Sequence, residues 1–122
     1  MKLKVSDLYD LSLGLADLSE KELSISLSFK IQRASKAVSD ELIASDKVRK
    51  KIIEKYKEKD LENGQVQIKK DKLIEFNKEM QELMKQEVEV SIDKIDIEDL
   101  EKADINIKPK TLMQLDSILS AD

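Results

Sequence analysis

One run of apolar residues constrains this chain more than anything else in it. Leu27, Ile31, Ala34, Val38, Leu42, Ser45, Val48 (or Arg49), Ile52 and Tyr56 recur at three-or-four spacing, with no glycine or proline between them. That period gives an α-helix one apolar face, and so long a face must be covered by something. The start of the run is ambiguous, because Leu23, Ile25, Leu27, Phe29 and Ile31 also alternate with polar residues as a strand does. The helical continuation predicts a helix from about residue 23, with a strand at 23–30 as the alternative. Carried to Asp60 the helix is about 55 Å long, unless Ser45-Asp46 breaks it.

The flanking segments are short and fit around this helix. Ser6 is a suitable N-cap before Leu8, Leu11, Leu15 and Leu18, which predict a helix over 6–18 that Gly14 weakens. Ser19 with Glu22 has the spacing of a capping box, so the second helix should start there or shortly after. Asn63-Gly64 reverses the chain, and Leu73, Phe76, Met80 and Leu83 predict a return helix over about 70–86, antiparallel to the distal half of the long one. The proximal half needs cover from helix 6–18 and a C-terminal helix. Failing that, self-association through the Leu27–Leu42 stripe is the physical alternative, and the chain is then a homo-oligomer.

Beyond residue 86 the period changes. Val88, Val90 and Ile92 alternate with polar residues, and Ile95 and Ile97 resume the alternation after Asp93-Lys94, which predicts one or two short strands, or a hairpin, near 87–97. Ile105 and Ile107 suggest another extended piece before Pro109, which opens a final helix carrying Leu112, Leu115, Ile118 and Leu119. Two glycines and one proline are too few for the many turns of a sandwich or barrel. The expected fold is therefore mainly α: a single domain over 1–122, built on an antiparallel, coiled-coil-like helical hairpin with short flanking helices and a minor β element.

Cysteine and histidine are both absent, which removes thiol nucleophiles, disulfides, structural zinc, imidazole bases and the commonest metal ligands. The carboxylate pair Glu98 and Asp99 has no glycine-rich walls to perturb it, Ser24, Ser26 and Ser28 read as a polar face, and Met80, Met84 and Met113 read as core filler. The expectation is a protein that is not an enzyme and uses no cofactor or metal. No apolar run approaches the roughly 20 residues that cross a bilayer. Met-Lys-Leu-Lys followed by Asp7 and Asp10 is not the apolar core of a secretion signal. With cysteine absent as well, a cytoplasmic location is expected.

Charge is distributed unevenly. Between Lys47 and Lys72 ten basic residues face five acidic ones, whereas Glu87 to Asp104 hold eight acids and two lysines. The basic stretch offers Lys50, Lys51, Lys55, Lys57, Lys59, Lys69 and Lys70 to phosphate at the tip of the hairpin. Arg33 and Arg49 are the only arginines and there is no aromatic cluster, so such binding would be nonspecific. The interspersed Glu54, Glu58, Asp60 and Glu62 favour ordinary ion pairs on a solvated face instead. In the acidic stretch, Asp93, Asp96, Glu98, Asp99, Glu101 and Asp104 are the candidate surface for a basic groove on a protein partner. They lack the glycine and the ligand order of a calcium loop, and a polar edge that protects strands is the competing reading.

Four segments together, Leu27-Ser28-Phe29-Lys30-Ile31, Ile53-Glu54-Lys55-Tyr56, Glu87-Val88-Glu89-Val90 and Ile105-Asn106-Ile107-Lys108-Pro109 with Leu112-Met113 and Leu115, carry a resemblance in their order and spacing. The chain resembles a group of small phage and prophage proteins of low-GC Gram-positive bacteria that have no assigned activity. The resemblance implies a phage setting, in the host cytoplasm or the virion, and transfers no site residue. The resulting expectation is a non-enzymatic accessory protein that acts by protein–protein binding, for instance by inhibiting a host enzyme or defence system. The alternatives are a virion-assembly accessory and a nonspecific nucleic-acid binder working through the basic tip.

Overall fold

The long apolar stripe is one unbroken helix in the computed structural model, which describes residues 1–121. In chain order the elements are β1 (Lys2–Lys4), α1 (Val5–Ser19), α2 (Ile25–Tyr56), β2 (Lys57–Asp60), β3 (Val66–Ile68), α3 (Leu73–Lys85), β4 (Glu87–Glu89), β5 (Ile95–Asp96), α4 (Ile97–Lys102), α5 (Pro109–Leu115) and β6 (Leu119–Ser120). Single 3-10 turns at Glu62–Gly64, Lys70–Lys72 and Asp116–Ile118 join some of them. The protein is mainly helical, with a packed helix pair, flanking helices and small two-stranded sheets.

α2 starts at Ile25 rather than 23 because Ser24 is its cap, accepting the Leu27 N–H at 3.2 Å. The expected Ser19–Glu22 box does not form. Ser19 Oγ instead donates to the Ala16 carbonyl at 2.6 Å and closes the end of α1. Neither the strand at 23–30 nor the break at Ser45-Asp46 occurs: Ser45 is buried inside a helix of 32 residues, about 48 Å long. It stops at Tyr56, short of Asp60, where the chain turns extended.

α1 begins directly after β1, so its cap is Lys4 and not Ser6, with Asp7 returning a carboxylate to the Lys4 N–H at 3.0 Å. It folds back antiparallel along α2. Leu8, Leu11, Leu15 and Leu18 meet Leu27, Ile31, Ala34 and Val38, and this seam is the centre of the core. At its far end the Tyr9 hydroxyl donates to Asp46 Oδ1 at 2.7 Å. Burial, and then this bond, hold the Tyr9 hydroxyl above its ordinary pKa. Tyr9→Phe is expected to cost about 1 kcal/mol, read as a lower urea midpoint at unchanged m-value.

Because α1 covers the proximal half of α2, the Leu27–Leu42 stripe is spent inside the molecule, and self-association through it has no driving force left. α5 closes the other side of α1. Thr111 Oγ1 donates to Asp17 Oδ2 at 2.8 Å, and Leu115 lies over Gly14. A Cβ on Gly14 would stand 2.8 Å from Leu115 Cγ, so this glycine, at its cost in helix propensity, is the crossing point of two helices.

The distal half of α2 is covered by α3, as the leucine and phenylalanine spacing predicts, although α3 starts at Leu73 after a 3-10 turn. Tyr56 and Phe76 meet edge to face with ring centroids 6.2 Å apart, and Lys55 Nζ pairs with Glu79 at 3.0 Å. Asn63-Gly64 does reverse the chain, with φ of 63° and 75°. It does so within a β2–β3 hairpin that the sequence pattern did not predict.

The segment 87–97 forms two short strands, as the alternation predicts, but they do not pair with each other as a hairpin. β4 pairs antiparallel with β1, placing Leu3 opposite Val88, Lys2 opposite Glu89 and Lys4 opposite Glu87. β5 pairs in parallel with β6, placing Ile95 opposite Leu119. Leu119 is therefore extended, the final helix ends at Leu115 and a 3-10 turn carries Ile118 into the core. Ile97 opens α4 instead of continuing a strand. Ile105 and Ile107 pack against the core without pairing as a strand.

Candidate protein-docking surface

α2 gives the molecule two ends, and the residues singled out by charge divide between them. At the proximal end, the Ser24 cap sets the helical phase so that Leu27 and Ile31 face inward. At 100° per residue the same phase turns Ile25 and Phe29 outward, one turn apart. Ile25 is 86% exposed and Phe29 52%, and the Arg33 guanidinium lies over the Phe29 ring, 5.0 Å from its centroid. Sequence pattern alone hid this pair, because both fell in the stretch that also reads as an alternating strand. The signal was there in the cap, since counting from Ser24 puts them off the buried face.

The acidic residues come to this same end. Asp93 borders an open concavity together with Ile25, Phe29, Lys30 and Arg33. Asp99 lines a second one, of about 320 Å³, between α4 and the first turn of α2, facing Lys30 and Lys102. Asp96 is in β5, Glu98 and Glu101 are on α4, and Asp104 follows α4 in the left-handed region at φ 52°. Asp93, Glu98, Glu101 and Asp104 are exposed, whereas Asp96 and Asp99 are half-buried. Glu98 and Asp99 occupy the first turn of α4, where a helix favours negative charge, and Glu98 pairs with Lys102 at 3.4 Å. Among the described residues, no group of three carboxylates converges as a metal site would require.

Glu87 and Glu89 do not belong to this surface. They face Lys4 and Lys2 across the β1–β4 ladder, and Glu89 also pairs with the Met1 amino group at 2.7 Å. That amino group holds the Glu89 carboxyl below its usual range.

The seven candidate lysines gather at the distal end but are not equivalent. Lys55 is bound to Glu79, and Lys57 bridges Glu54 at 3.1 Å and Asp60 at 3.3 Å. The Tyr56 hydroxyl and the Lys55 ammonium together hold the Glu79 carboxyl below its ordinary range, so this group works as a latch between α2 and α3. Lys50, Lys51, Lys59, Lys69 and Lys70 are exposed and make no ion pair among the described residues. The neighbouring segments also expose Leu61, Leu73 and Ile74, the last to 83%, together with Glu62, Asp71 and Glu75.

Comparison with known proteins yields no match to any family model, to any curated protein or to any solved structure. Among the described residues, no helix is long and apolar enough to cross a membrane.

Proposed function

We propose that this chain is a non-enzymatic binding protein that acts by protein–protein contact, and that the proximal end of α2 is its docking surface. The observation that carries this reading is the exposed pair Ile25 and Phe29, which border one concavity with Asp93, Lys30 and Arg33, while Asp99 of α4 lines the neighbouring one. An apolar centre with a charged rim is how protein interfaces are built: the centre supplies affinity on desolvation, and the rim selects a partner of opposite charge. Singly exposed apolar residues need no explanation, but two on adjacent turns, bordering concavities, form a patch.

The rim carries both signs, with Asp93 and Asp99 beside Lys30, Arg33 and Lys102. It favours a partner whose basic groups meet the carboxylates and whose acidic groups meet the cations, and Arg33, held over Phe29, stiffens the ring that would anchor it. The phage accessory role follows from the sequence resemblance alone. It casts the partner as a host enzyme or defence protein, with a virion component as the alternative.

Capture from a Gram-positive host lysate tests the reading. Ile25→Ser with Phe29→Ser, and separately Glu101→Lys, are expected to lower recovery of the captured protein roughly ten-fold or more, with an unchanged far-UV circular dichroism spectrum. Equal recovery by wild type and both variants would refute a docking role for this end. Tail or capsid proteins in the captured fraction would select the virion reading.

A further inference from the structure

The core of this protein stops partway along α2. Of the described residues from Asp46 to Glu82 only Tyr56 is buried, whereas α1 alone buries Val5, Leu8, Leu11, Gly14, Leu15 and Leu18. β2, β3 and most of α3 are therefore built almost without a core of their own. Neither the helix nor the hairpin is stable alone. α3 has 13 residues and its N-cap, Lys72, makes no side-chain cap bond, and isolated helices shorter than about 12–15 residues are marginal in water. A lone two-stranded hairpin is marginal too.

What fastens these elements to α2 is slight. Phe76 is half-buried against the edge of Tyr56, Lys55 pairs with Glu79, and the Tyr56 carbonyl accepts the Lys69 N–H at 2.9 Å. The ion pair is open to water, its lysine side chain 59% exposed, and such pairs contribute little. The other end of α3 is fixed more firmly. Leu83 is buried there, and the Gln86 carbonyl accepts the Val5 N–H at 2.9 Å just before the β1–β4 pairing begins. Gln86 itself leaves the helix with ψ of 135°.

We infer that α3 and the β2–β3 hairpin form a strap that opens as one unit, pivoting at Gln86, while the core around α1, α5 and the proximal half of α2 stays folded. The opening is cooperative, because an undocked α3 loses its helix and a hairpin without α3 loses its tie to Tyr56. Sub-global openings of this kind cost less than global unfolding. The closed strap covers Tyr56 and half-covers Ile52, Ile53, Phe76 and Met80, and the open one shows them as a minor state of the same molecule. This does not depend on the docking surface at the other end of α2.

Native-state hydrogen exchange of the full chain in rising urea tests this. The amides of α3 and of β2–β3 should share one opening, with protection at least about ten-fold below that of α1 and a weaker urea dependence. Phe76→Ala should speed exchange in α3 and the hairpin about ten-fold and leave α1 and α5 at wild-type rates. Ile74→Ser, at a position 83% exposed on the same helix, should change no rate by more than about two-fold. Equal protection and equal urea dependence in α3 and α1 would overturn the inference, as would α3 amides that exchange as fast as an unfolded chain. So would a Phe76→Ala variant that speeds α1 and α5 as much as α3, or that leaves α3 unchanged. An effect of Ile74→Ser as large as that of Phe76→Ala would also overturn it, since docking on α2 would then not be what holds α3.

Discussion

Leu115→Ala is expected to remove about 3–5 kcal/mol of stability, a large part of the roughly 5–15 kcal/mol that holds a domain of this size. Leu115 is fully buried and sits where α5 crosses α1, with Gly14 directly beneath it. A glycine backbone cannot follow a lost side chain inward, so the cavity stays open and the upper part of the range applies. The loss also spreads along the chain. Leu115 leads into the turn that inserts Ile118 and then into β6, which pairs with β5 beside α4. Amide exchange at Ile95 and along α4 should therefore speed up with the global change, linking the α1–α5 crossing to the acidic surface. Met113→Ala on the same helix, at a position 78% exposed, is expected to stay within about 0.5 kcal/mol of wild type. Urea midpoints at constant m-value give both numbers, and equal small losses would show that α5 is not part of the core.

The second large effect is a change of sign. Gly14→Ala in the wild type gains about 1 kcal/mol of helix propensity and loses about 1–3 kcal/mol to overpacking. The new methyl would come within 2.9 Å of two Leu115 side-chain atoms that have no free space to retreat into. A net loss of about 1 kcal/mol is expected. In the Leu115→Ala background those two atoms are gone and the Gln114 Cβ at 3.1 Å is the nearest neighbour left. There the same substitution should stabilise the protein, giving a coupling of about 2 kcal/mol across the double-mutant cycle. Four urea denaturation curves decide it. Additive effects would mean that Gly14 is present for some reason other than the close approach of the two helices.

These two residues also show what the sequence made legible. Leu8, Leu11, Leu15 and Leu18 and the stripe from Leu27 to Val38 are buried where apolar spacing puts them, because burial on one helical face repeats along the chain, whereas the return helix forms where expected but buries Leu83 and leaves Leu73 48% exposed. The helix-propensity cost of Gly14 is legible in the sequence but its packing role is not, because a helix crossing involves a second segment, distant in sequence. The strands at 87–89 and 95–96 lie where alternation puts them, but β1, β2, β3 and β6 were obscured for the same reason. Lys57–Asp60 is all charged and has no alternation, and Lys2–Lys4 is a strand only because Glu87–Glu89 lies beside it. Short edge pairings are set by the partner more than by the strand's own residues.

The site was half legible. Both charge runs stand out in the sequence, but Lys55 and Lys57 look as free as Lys50 until α3 and the hairpin bring Glu79 and Asp60 to them. Glu87 and Glu89 look as free as Glu101 until β1 pairs with β4. What separates a working charge from a satisfied one is a tertiary partner. Ile25 and Phe29 were concealed differently, by a local pattern with two periods, which the helical continuation and the Ser24 cap resolve in favour of helix.

Site-specific photo-crosslinking tests the account most directly. A benzophenone amino acid placed at Phe29, at Ile25 and, as an exposed apolar control on α1, at Leu13 would be irradiated in Gram-positive lysate. The account predicts one dominant crosslinked product from positions 25 and 29, shared by both and lost in high salt, with none from position 13. Equal, diffuse crosslinking from all three positions, or a discrete product from Leu13 alone, would contradict it.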